Sequence, residues 1–132
     1  MKEFLGDDFL LDSDLAKKLY NEHAKKMPIF DFHCHLVPEQ IADDYHFRSI
    51  TEAWLGANGY GDHYKWRLLR EMGVKEEFIT GNRSDWEKFE MYAKCMPYFI
   101  GNPIYEWTHL ELKTYFGIHE PLNEKNARKI YD

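Results

Sequence analysis

A chain of 132 residues with 44% hydrophobic and 17% aromatic side chains carries enough apolar surface for one modest globular core, which argues against disorder. Its formal net charge of -6, with Lys and Arg interspersed among Asp and Glu, argues against a nucleic-acid partner. Cys34 and Cys95 have no metal-type spacing, the amino terminus is acidic where a signal peptide needs an apolar core, and no long apolar run follows; a soluble cytoplasmic protein with reduced thiols is expected, not a membrane one.

In chain order, Ser13 is placed to cap a helix in which Leu15, Leu19, Tyr20 and His23 fall at helical spacing before Pro28. The run Pro28-Ile-Phe-Asp-Phe-His-Cys-His-Leu36 reads as a short strand buried on both faces, as in a parallel sheet. Pro38 suits the first turn of a short helix through Ile41. Ser49 with Glu52, and Ser84 with Glu87, match the capping box, in which hydroxyl and carboxylate satisfy each other's free backbone donors. Asp62 caps a further helix ending at Gly73, and Trp86, Phe89, Ala93 and Met96 share an apolar face before Pro97. Asn102 and Pro103 open a helix running to about Gly117, and Asn123 to Asp132 reads as a last capped helix, cut about two turns in.

His33 and His35 carry the chemistry of the predicted strand. Side chains at i and i+2 of an extended backbone point the same way, so the two imidazoles share a face with Asp31 while Cys34 turns away as a small buried residue. Two neutral imidazoles suit a divalent metal of the zinc type, with a third ligand from elsewhere. The same pair also fits two half-buried polar residues bonded to backbone. Asp31 either orients an imidazole or is simply polar near the strand's start. His63 and Tyr64 read, on spacing alone, as one exposed imidazole and one packed ring at a helix start, and Lys65 and Arg67 as solvated charges on that helix. His109 and Glu111, two apart on a helix, do not share a face and are not expected to form a joint site.

Three blocks in order, Met27 to Leu36, Gly61 to Arg67 (Gly-Asp-His-Tyr-Lys-Trp-Arg) and Gly101 to Leu112 (Gly-Asn-Pro-Ile-Tyr-Glu-Trp-Thr-His-Leu-Glu-Leu), resemble the amino-terminal part of the uronate (glucuronate) isomerases of the amidohydrolase superfamily. The resemblance implies a metal-dependent (β/α)8 barrel of the TIM type as parent fold. In this portion it implies a mainly α architecture with one or few short strands: a helical arm over 1–27, the first barrel strand over 28–36, and a helical insertion over 37–132. It implies aldose-ketose isomerisation of D-glucuronate to D-fructuronate and of D-galacturonate to D-tagaturonate. His33 and His35 match the family's metal ligands, the metal being zinc or another divalent ion. Tyr64 matches the tyrosine that shuttles a proton, and His63 its active-site neighbour. A phenol can pass a proton between two oxygens as both donor and acceptor without ionising at rest. The family's late aspartate ligand and substrate-binding arginines have no counterpart here, so negligible turnover is expected of these 132 residues alone. The expected partner is a small uronate sugar, with self-association through exposed apolar surface. Two other readings are carried beside it: a metal hydrolase of the same superfamily, and a non-enzymatic helical interaction module.

Overall fold

The computed structural model describes residues 3–57 and 59–132, and divides into two units, Met1–Cys34 and His35–Asp132. In the first unit, the Ser13 hydroxyl accepts from the Ala16 amide at 3.1 Å and opens helix α1, Asp14–Glu22. A 3-10 turn at Ala24–Lys26 follows. Residues 28–34 then run on without helix or strand. This corrects the predicted barrel strand: among the described residues there is no strand, and the sole trace of pairing is an antiparallel bridge between Ala57 and Tyr60. The physical reason is that a strand needs neighbours to pair its backbone groups, and this unit offers none. The apolar run meant for burial is instead open, with Ile29, Phe30 and Phe32 at 94%, 87% and 89% exposure. Cys34, expected to be buried, is exposed as well.

The second unit is helical throughout. After α2, Pro38–Ala42, come α3, Ile50–Leu55, and α4, His63–Glu71. These are followed by α5, Asp85–Cys95, α6, Pro103–Phe116, and α7, Ala127–Tyr131. The core gathers Trp54 and Leu55 of α3, Leu69 of α4, Phe89, Tyr92 and Ala93 of α5, Ile104 and Leu112 of α6, and Ala127 and Ile130 of α7. Local chemistry explains most of the helix ends. Ser84 and Glu87 form the complete capping box at the start of α5, while Gly117, in left-handed conformation at φ 65°, ends α6. At α3 only half of the expected box forms. The Ser49 hydroxyl receives the Glu52 amide, but the nearly buried Glu52 carboxylate takes the Arg48 amide and guanidinium and the Tyr45 hydroxyl instead. Four donors from Arg48 and Tyr45 outcompete one backbone N–H. The last helix is shorter than expected because Asn123 and Asn126 spend their side-chain oxygens on the Lys125 and Asn123 amides, folding that stretch as a turn.

The loop from α3 to α4 sets where α4 begins. Gly56 has φ 80°, and a Cβ there would lie 1.7 Å from the Tyr60 carbonyl oxygen, so only glycine permits this crossing. The Trp66 indole N–H donates to the Leu55 carbonyl at 2.8 Å and ties α4 back to α3.

Buried His109 fastens α6 to the segment before α7. The Leu122 amide donates to His109 Nε2 at 2.9 Å, so Nδ1 carries the proton and donates to the Tyr105 carbonyl at 2.6 Å. Burial lowers the His109 pKa from its ordinary value, against the opposing pull of the Tyr105 carbonyl. The unfolded chain therefore binds a proton at a pH where the folded chain does not, and the stability contributed by neutral His109 declines as pH falls through the ordinary histidine value towards the lower folded one. Urea midpoints from roughly pH 7.5 to pH 5.5 should fall more steeply for the wild type than for His109→Gln. Parallel profiles would remove His109 from the acid response.

Candidate active site

The amino-terminal end of α4 gathers the candidate residues of the second unit. The Asp62 carboxylate caps the helix, its Oδ1 accepting the Tyr64 amide at 2.9 Å. That leaves His63 and Tyr64 in the first turn, both solvent-exposed, with ring centroids 4.4 Å apart. His35 comes to them from 28 and 29 positions earlier in the chain. Its ring stacks 5.1 Å from His63 at an interplanar angle of 29°, and 5.2 Å from Tyr64 at 16°. His35, His63 and Tyr64 are thus brought together as a cluster of two imidazoles and a phenol open to a ligand.

Asp62 also faces His35, with Nδ1 3.6 Å from Oδ1. This is beyond hydrogen-bond range yet close enough for the carboxylate to favour the Nδ1–H tautomer. Burial pushes the Asp62 carboxyl up. The Lys65 ammonium, by charge and hydrogen bond, and the Tyr64 and Lys65 amides outweigh it, so the pKa lies below its ordinary value and the group is held as carboxylate. Lys65 itself corrects an expectation: it is not a solvated charge but 5% exposed, its Nζ 3.2 Å from Asp62 Oδ2 and 5.9 Å from the Trp54 ring centroid. The signal was present in the spacing, because Lys65 lies one turn before buried Leu69 and so falls on the inward stripe of α4. Arg67 is exposed, as expected.

His33 belongs to the first unit and is exposed. Asp31 does not turn its carboxylate to an imidazole by that contact: Oδ1 accepts the His33 backbone amide at 3.2 Å. With no strand formed there, the shared-face argument for His33 and His35 has no strand beneath it in the described residues. Nor do any three His, Cys, Asp or Glu side chains among the described residues come close enough to hold a metal ion. The donor chemistry of the two imidazoles still fits a zinc-type ion, provided that the remaining ligands come from other residues.

His109 and Glu111 go to separate tasks. The first holds Leu122, as described above, and the second lies beside the Trp54 indole and Lys65, where burial raises its pKa against the pull of both. The approach of Glu111 and Trp54 to Lys65 is the part of this region that local spacing did not bring together.

Comparison with known proteins adds an independent line. The family model described as glucuronate isomerase matches residues 1–132. The uronate isomerase of Phocaeicola vulgatus is 58% identical over 133 residues, covering 100% of this chain and 28% of the relative. That of Clostridium perfringens is 56% identical over 132 residues with the same coverage. The crystal structure of uronate isomerase from Thermotoga maritima superposes with a TM-score of 0.86 at 42% identity, over 98% of this chain and 28% of that one. The chain therefore spans just over a quarter of the length of the relatives that it matches.

Proposed function

The chain belongs to the glucuronate isomerase family, and on that premise we propose that it forms the amino-terminal portion of a uronate isomerase acting on D-glucuronate and D-galacturonate. The observation that carries the reading is the ring cluster: the three side chains that the family resemblance singles out in this unit, His35, His63 and Tyr64, stand within 5.2 Å of one another at one helix start. In this reading residues 28–36 complete a parallel barrel as its first strand when paired with further chain, which would bury Ile29, Phe30 and Phe32. Without those partners, the exposed apolar run favours self-association of the isolated chain. The protein works in the cytoplasm, and no helix among the described residues is long and apolar enough to cross a membrane.

The reaction moves hydrogen from C2 to C1 of the sugar. The C2–H bond breaks, a C1–H bond forms, and the hydroxyl proton on O2 passes to O1 as the C1 carbonyl becomes an alcohol and C2 a ketone; no external oxidant or reductant is needed. Tyr64 suits the transfer between O2 and O1, because one phenol can donate to one oxygen while accepting from the other. His63, packed against that ring, would donate a hydrogen bond to a substrate hydroxyl and limit its rotation. His33 and His35 would hold zinc, whose positive charge would stabilise the developing enediolate oxygen. Asp62 faces Nδ1 of His35 at 3.6 Å and would help to orient that ring.

A substrate panel tests this against the hydrolytic alternative. The intact protein should convert the two uronates into ketouronates and release no acid from lactones, esters or amides. Acid release without aldose-ketose exchange would replace the isomerase with a hydrolase of the same metal chemistry.

A further inference from the structure

Lys65 has no place in the chemistry just described, yet it is among the most deeply buried charged side chains of the second unit, at 5% exposure. A buried ion pair adds little net stability over an apolar side chain of similar size, because desolvating the charges offsets their attraction. Its consequence is therefore to be sought in geometry. The ammonium has three N–H donors. One reaches Asp62 Oδ2 at 3.2 Å, while the group sits against the Trp54 face and within the field of Glu111. Asp62 is thereby gripped from behind. With Oδ2 occupied on the inner side, Oδ1 is directed outward, where it accepts the Tyr64 amide at 2.9 Å and faces His35 Nδ1 at 3.6 Å.

We propose that Lys65 is a positioning residue: by holding Oδ2 of Asp62 from the buried side of α4, it aims Oδ1 at the Tyr64 amide and the His35 ring, and so sets where the rings of the site stand. Remove the ammonium and Asp62 can rotate about its terminal torsion, which is soft for a carboxylate, and exchange its helix bond for water. The first turn of α4 then loosens under Tyr64. The inference rests on the reading of Tyr64 as the residue that moves the proton between substrate oxygens.

The test uses Lys65→Met, Asp62→Asn and the double variant in the intact protein, with 15N-tyrosine labelling and the Tyr64→Phe spectrum to assign the Tyr64 amide. Lys65→Met is expected to shift the Tyr64 amide resonance upfield and to lower kcat about 10- to 100-fold with KM nearly unchanged. The double variant should be no slower than Asp62→Asn alone, since both substitutions break one chain of contacts. If Lys65→Met does not fold, Lys65→Gln, which keeps an N–H donor on a shorter stem, takes its place with a smaller shift and a smaller loss. An unmoved Tyr64 amide, a wild-type kcat, or losses that multiply in the double variant would overturn the proposal. A wild type that does not isomerise uronates would sink the functional reading instead, and the amide shift would still decide whether Lys65 governs Asp62.

Discussion

Replacing Tyr64 with phenylalanine should lower kcat for uronate isomerisation by the intact protein about a hundred- to ten-thousand-fold, the range in which loss of a positioned proton-transfer group falls. The substitution removes one hydroxyl and little else. The ring remains to stack on His35 and His63, and the bond from position 64 to Asp62 uses the backbone amide, which the side chain does not supply. Because Tyr64 is 42% exposed and its hydroxyl is not part of the core, stability should change by less than about 0.5 kcal/mol. Steady-state kinetics beside a urea melt separate these effects: a fall in kcat with an unchanged melt is expected. A kcat near the wild-type value would remove Tyr64 from the proton path and leave the ring cluster as a binding surface only.

Changing His33 and His35 together to alanine should reduce bound zinc from about one equivalent per chain to background in the intact protein. Metal analysis after dialysis reads this directly, with no need for turnover. Two of the ligands would be gone, and a tetrahedral ion does not survive on the rest. Both residues are exposed in this chain, so their loss should not unfold it. Undiminished metal content would place the ion elsewhere and return the two histidines to the alternative of polar residues without a metal role.

The helices were legible because their ends are local. Ser13, Asp62, Ser84 and Asn102 each cap within three residues of themselves, and Gly73 and Gly117 stop helices through their own backbone conformation. The strand expected over 28–36 does not form among the described residues, for the opposite reason. Its apolar run was plain, but a strand exists only by pairing with partners far along the chain, and none is present in its unit.

The candidate site divides along the same line. That Asp62 starts α4 follows from neighbouring residues, whereas the approach of His35 to His63 and Tyr64 spans 28 and 29 positions, and only the likeness to a family anticipated that these residues matter together. Lys65 was mistaken for a surface charge because its counterparts, the ring of Trp54 and the carboxylate of Glu111, come from α3 and α6. Its one-turn spacing from Leu69 was the local hint.

The most direct test of the account is to incubate the intact protein with D-glucuronate and follow the sugar by NMR. The account predicts loss of the aldose C1 signals and growth of a C2 ketone in equal amount, with no such change for the 132-residue chain by itself. Unaltered D-glucuronate in the presence of fully metal-loaded intact protein, or turnover by the isolated chain, would contradict it.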